Sequence, residues 1–198
     1  AAQPELGGAV INDNVLDGGV LYIPADQDLF GVGFDLQNRV VTSNADSTLI
    51  FSPRILFAFN ISLAPFQITS LELFGFGNFA TDVNYRTDGS GDRGPTFAER
   101  SADGDALTFD FGFPLFVNNL IAGPQEESYF ITVNTDATAF ANTGTASLYG
   151  TSLVVPGETL RMDFTGLAVP VAADIPLPAT TLLFLGAMSL LFGMRRSS

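Results

Sequence analysis

Five oxygen-bearing residues fall close together in one stretch: Asp88, Ser90, Asp92, Thr96 and Glu99. The first three lie at alternate positions of a Gly-rich loop, Asp88-Gly89-Ser90-Gly91-Asp92. Carboxylates and hydroxyls on a flexible loop suit a hard cation such as Ca²⁺, and Glu99 stands where a calcium-binding loop places its closing bidentate carboxylate. Against this, Arg93 occupies the position at which such a loop needs Gly for its sharp turn, and Pro95 with strand-like flanks breaks the helix–loop–helix context. The competing reading is a solvated acidic hairpin loop in which Arg93 pairs with a nearby acid. A second acidic group, Asp103-Gly104-Asp105 with Asp110 beyond it, reads as a turn and an exposed strand face; its alternative is a carboxylate pair for glycoside hydrolysis. Tyr22, Tyr85, Tyr129 and Tyr149 are the candidates for a sugar-stacking face, though core or edge placement explains them as well. Gly31, Gly33, Gly75 and Gly77 read as strand bulges or close-packing sites, because no Gly-rich stretch opens a helix or carries a Lys.

Composition removes many other chemistries. The 198 residues contain no Cys, His or Trp, and all eight basic residues are Arg. Without Cys or His there is no zinc-finger site, no thiol nucleophile and no Ser-His-Asp triad. The 21 acids bring the net charge to −13, which repels nucleic acid. The chain is 46% hydrophobic with 19 Phe, enough apolar material for one sizeable core and too much for a disordered chain.

The elements that must position these residues read as strands. Leu107, Phe109, Phe111 and Phe113 alternate with smaller or polar residues; so do Phe57, Phe59, Ile61 and Leu63, and Leu160, Met162 and Phe164, while Tyr129, Ile131 and Val133 alternate with Phe130, Thr132 and Asn134. Further strands are expected at Val20–Ile23, Leu29–Leu36, Arg39–Thr42, Thr48–Phe51, Phe66–Phe74, Phe79–Arg86 and Thr145–Val154. Asp17-Gly18-Gly19, Asp88-Gly89, Asp103-Gly104, Gly123-Pro124 and Pro156-Gly157 punctuate them as turns. No crossover helix is visible, so the pattern predicts an all-β domain, an antiparallel β-sandwich or jelly roll. Its inner faces should take Phe57, Phe59, Phe109, Phe111, Ile131 and Phe164. One helical turn is expected near Thr135–Ala141.

The two ends differ from this body. The chain opens Ala1-Ala2-Gln3-Pro4, the start expected of an exported protein after signal-peptide removal. It closes with Asp174-Ile175-Pro176-Leu177-Pro178-Ala179, an uncharged apolar run to Met194, then Arg195-Arg196-Ser197-Ser198. As a helix the run rises about 24 Å, slightly short of a bilayer core. The snorkelling arginines close most of that gap and keep this end cytoplasmic.

A short Pro-containing signature, an apolar helix of this length and a terminal Arg cluster together resemble the PEP-CTERM class of protein-sorting tails. Ile175-Pro176-Leu177-Pro178-Ala179 is similar to the VPLPA variant, with Ile for the leading Val. The resemblance implies a Gram-negative host, recognition and cleavage by an exosortase-like membrane enzyme, and delivery to the cell surface or extracellular polysaccharide. Pro176, Leu177, Pro178, Ala179, Arg195 and Arg196 would form the signal. More loosely, Glu127–Phe140 with Thr143–Leu148 resembles a strand–turn–strand passage of β-rich bodies carrying such tails.

The expected organisation is an exported β-sandwich over residues 1–169, a linker at 170–175 and the sorting tail at 176–198. The expected role is structural or interactive and non-enzymatic, with no cofactor unless calcium. The alternatives are a polysaccharide-binding module and a secreted carboxylate-dependent hydrolase.

Overall fold

A computed structural model describes residues 7–19, 21–22, 31–60, 65–87, 90–118, 125–153, 157 and 159–173. The sorting tail, including its expected helix, lies outside these residues, as do Asp88 and the side chains of Tyr22, Phe57 and Phe59.

Among the described residues eleven strands follow one another: β1 (Gly8–Asp17), β2 (Leu21–Tyr22), β3 (Gly31–Ser43), β4 (Leu49–Asn60), β5 (Phe66–Phe74), β6 (Thr81–Arg86), β7 (Phe97–Arg100), β8 (Ala106–Val117), β9 (Phe130–Thr135), β10 (Ala139–Ser152) and β11 (Thr159–Val171). They form two antiparallel sheets. One runs β1-β3-β4-β9-β6, with β2 also on β3; the other runs β11-β10-β5-β8-β7. The all-β expectation holds, and no helix occurs among the described residues. Period-two side chains from both sheets meet in a single core: Phe34, Leu36, Ile131 and Val133 from the first, Leu71, Phe109, Phe111 and Phe164 from the second. Phe51 and Phe76 close edge-to-face within it, centroids 5.6 Å apart.

Several sequence expectations change for identifiable reasons. The described part of Leu29–Leu36, from Gly31, and Arg39–Thr42 belong to one strand, β3. Asn38, between the two expected strands, occupies an inward position and is 2% exposed. Its Nδ2 donates to Asn14 Oδ1 (3.2 Å) and the Gly166 carbonyl (3.3 Å), and its Oδ1 accepts the Ala168 amide (3.2 Å). A satisfied amide thus bridges the two sheets without interrupting either. Leu49–Phe51 of the one expected strand and Phe57–Asn60 of the other likewise join as β4, through Pro53. The β4–β9 ladder pairs only Ile50 with Asn134 and Phe51 with Val133. Beyond Pro53, which has no N–H to give, Ser128 takes over: its Oγ accepts the Ile55 amide (2.8 Å), its amide donates to the Ile55 carbonyl (3.2 Å), and its carbonyl accepts from Arg54 Nε (3.1 Å).

Phe113 is 69% exposed, although its alternation pointed inward. Ile68 pairs with Leu115 while Ser70 pairs with Asp110, so β8 bulges between them and Phe113 is turned out of phase. No helical turn forms at Thr135–Ala141. Instead, Thr135 Oγ1 donates to the Leu49 carbonyl (2.8 Å), and Leu49's amide donates to Ala137's carbonyl (2.8 Å). That stitch holds the β9–β10 connection in an open turn.

Candidate functional site

The strands β6 and β7 end their respective sheets and come from consecutive parts of the chain. Among the described residues, the two sheets do not close over the core between these strands. Two adjoining hollows of about 160 Å³ each run along this seam, with Val83, Ala98 and the buried ring of Phe109 common to both. Together they make a trough walled by one strand edge on either side.

The ends of the trough differ. One end is lined by Tyr85, Pro95 and Phe97. Phe97 is 57% exposed and Tyr85 39%, so the aromatic end is open to solvent. Tyr85 stacks on Tyr129 with ring centroids 5.9 Å apart and planes 7° from parallel. The Gly94 backbone presses against the same ring: a Cβ there would stand 2.6 Å from Tyr85 Cδ2. The other end is lined by Asp82 on β6 and Glu99 and Arg100 on β7. Arg100 donates to the carbonyls of Phe76 (3.1 Å), Phe79 (2.8 Å) and Gly104 (2.9 Å) and keeps its positive charge, so two acids and one arginine leave this end of the rim acidic on balance.

Of the residues picked out as calcium ligands, Asp88 lies outside the described residues, and the other four are placed by the fold as follows. Asp92 Oδ2 accepts the Glu127 amide (2.8 Å). Thr96 Oγ1 accepts the Gly112 amide (2.8 Å) and donates to the Asp110 carbonyl (3.3 Å), clipping the start of β7 to the β8 bulge. Glu99 lies exposed on β7 and Ser90 in the preceding loop. Among the described residues no three acids come together as metal ligands. Arg93 pairs with an acid from another part of the chain: its Nε and Nη2 donate to both oxygens of Glu126 (2.8 and 2.9 Å). Burial pushes the Glu126 carboxyl upward, but Arg93 and the Phe116 amide (2.7 Å) outweigh it and leave its pKa below the usual range. Nearby, Arg54 Nη2 donates to Glu127.

The second acidic group is a turn. Asp103 Oδ1 accepts from the Ser101 hydroxyl (2.6 Å) and the Asp105 amide (3.1 Å), which lower its pKa and close the β7–β8 hairpin. Asp110 lies on the outer face opposite Phe97. Tyr149 is drawn away from the trough, its hydroxyl donating to Glu72 (3.1 Å). Of the four tyrosines, Tyr85 and Tyr129 alone are brought together among the described residues.

Sequence reasoning did not single out Phe97, Asp82 or Val83. The Phe97–Arg100 run is exposed at every position, so it carries no period-two signal, and Val83 reads only as one more strand residue. Over the described residues, the fold and this trough define an all-β architecture of two antiparallel sheets, open along one seam. Comparison with known protein families, with curated proteins and with solved structures finds no match to this chain.

Proposed function

We propose that this chain is an exported cell-surface or extracellular-matrix protein of a Gram-negative bacterium, non-enzymatic, sorted by its C-terminal tail. One observation carries this reading: Ile175-Pro176-Leu177-Pro178-Ala179, an uncharged apolar run and Arg195-Arg196 follow one another in the order of a PEP-CTERM sorting signal. The physical logic is direct. Prolines at the head hold the peptide extended and stop a helix from growing backward, which offers an accessible strand to a membrane-embedded protease. The apolar run retains the substrate in the bilayer, and the arginines fix its orientation. The body supports this role. Its last strand, β11, is an edge strand ending at Val171, so the signature follows the rim of a sheet after a short linker. Cleavage at the signature would remove two of the eight arginines and none of the 21 acids, leaving a still more acidic domain suited to a hydrated matrix.

The test replaces Pro176 and Pro178 together with Ala in cells that carry an exosortase-like enzyme. The variant should remain full-length by mass spectrometry and stay with the membrane fraction, while the parent is shortened and leaves it. Processing and distribution equal to the parent's would show that the tail is only an anchor.

A further inference from the structure

From the geometry of the β6–β7 seam, we infer that the trough binds an extended, basic peptide segment of a partner protein, which adds as a new strand to the open edge of β7. Four observations on the trough converge on that occupant.

The first is main-chain direction. In an antiparallel ladder, alternate residues aim both backbone groups at the partner strand, and those between aim them away. Ser101 donates its amide to Ala106 of β8 (3.0 Å), and β7 pairs in the register Phe97–Asp110, Ala98–Phe109, Glu99–Thr108 and Arg100–Leu107. Alternation from Ser101 therefore directs Phe97 and Glu99 toward β8, and Ala98 and Arg100 toward the outer edge. Ala98 lines both hollows and Arg100 the second, so that edge faces the trough.

The second is asymmetry between the walls. On β6 the Tyr85 amide is already accepted by Oδ1 of its neighbour Asn84 (2.8 Å). That bond blunts the β6 edge, as native edge strands are often blunted, whereas all four β7 residues are exposed. The incoming strand takes its ladder on β7, where no such bond occupies the edge among the described residues.

The third is size. The hollows extend from Thr81 to Tyr85 along one wall and from Pro95 to Arg100 along the other. At about 3.3 Å per residue this accommodates roughly five residues of extended chain. Every second side chain would fall over Val83 and Phe109, completing the core where the sheets fail to meet.

The fourth is charge. Asp82 and Glu99 outnumber Arg100 at one end, Arg100's donors are held by three carbonyls, and the molecule carries −13 overall. An acidic partner is repelled, and so is a second copy of this chain; a segment with Lys or Arg at the acidic end and an apolar residue beside Phe97 fits. A sugar fits less well. Tyr85 gives its ring to Tyr129 and Gly94, so the aromatic end offers no free tyrosine platform on which a pyranose could stack.

The experiment uses the full chain in detergent micelles and a labelled nine-residue peptide of alternating Val and Thr ending in two Lys. Fluorescence anisotropy should show saturable binding. Amide exchange should slow at Ala98 and Arg100 when the peptide is present. Replacing the two Lys with Glu should weaken binding about tenfold, and Glu99→Arg should weaken the Lys peptide by a similar factor. N-methylation of alternate peptide amides should abolish binding, because it removes the ladder donors. Ala98→Trp, which fills the trough from an exposed position, should abolish it with the melting temperature retained. Four results would overturn the assignment: no binding of the Lys peptide; equal binding of the N-methylated one; competition by a neutral hexasaccharide such as cellohexaose; or self-association of the chain that protects Ala98 and Arg100 without peptide. Nothing in this binding uses the tail, so its failure leaves the sorting proposal standing, and the reverse also holds.

Discussion

Asp17 and Asp35 stand directly opposite each other in the β1–β3 ladder. Like charges in that position are unfavourable, and here burial adds to the cost. The Asp35 pKa is raised, by desolvation first and by the Asp17 charge second, with a smaller opposing contribution from the Gly18 amide. A carboxyl whose folded pKa exceeds its unfolded value destabilises the fold when pH lies above both values, and the penalty disappears when pH falls below both. Asp35→Asn keeps the shape and an acceptor for Gly18 while removing the charge. Its melting temperature should exceed the parent's at neutral pH, and the two should converge at about pH 3, below the carboxylate range. A gain that persists at the acidic end would place the effect in packing. The opposite sign holds for Asp13, whose bonds to Arg39 (2.7 Å) and Gln37 (2.8 Å) lower its pKa despite partial desolvation. Its contribution is present above the unfolded carboxylate range and is lost as pH falls through the lowered folded value. The pairing of Arg93 with an acid was legible in the sequence as an option, because a guanidinium in an acidic loop seeks a carboxylate. Which carboxylate was not: Glu126 lies 33 residues away and meets Arg93 only because the β6–β7 and β8–β9 connections touch.

At the scale of elements, bulges decide which side chains reach the core. The β10–β11 register shifts at Gly144, in the middle of the second sheet. A Cβ at that position would stand 2.2 Å from Val169 Cγ1 and 2.8 Å from the Phe74 carbonyl, a side chain of one neighbouring strand and the backbone of the other. Neither can move without disturbing a ladder. Gly144→Ala should therefore destabilise the protein by about 1–3 kcal/mol, the range of an overpacked core, read as a fall in the urea midpoint. An unchanged midpoint would mean that β10 relaxes at its bulge. The strands with clean alternation were visible beforehand: β5 occupies the expected Phe66–Phe74, and β9 and β11 bury Ile131 and Phe164 as their spacing required. The two strands that were not foreseen, β1 and β7, are edge strands exposed at nearly every position. An edge strand held by its backbone ladder, with few buried side chains, leaves no hydrophobic period to read. The same absence hid the trough, since β7 forms one of its walls.

For the molecule as a whole, the charge of −13 is carried without any lysine, and four of the described arginines are taken up in ion pairs: Arg39, Arg54, Arg93 and Arg161. The remaining acids repel one another across the surface and oppose compaction. Raising NaCl from about 0.01 M to about 0.15 M shortens the screening length from about 30 Å to about 8 Å. The melting temperature should rise over that interval, and a fall would mean that the ion pairs outweigh the repulsion. By itself the sequence determined the all-β class of the body, most of the strands, the exclusion of a thiol nucleophile, a Ser-His-Asp triad and a zinc-finger site, and the segment that resembles a sorting signal. Each of these depends on composition or on residues adjacent in the chain, where side-chain type and spacing act directly. The tertiary structure alone decided that β6 and β7 end different sheets and leave a trough between them, that Asn38 bridges the sheets from an inward position, and that Phe113 faces solvent. Those outcomes depend on registers, bulges and edges, which are set by contacts between residues far apart in the chain.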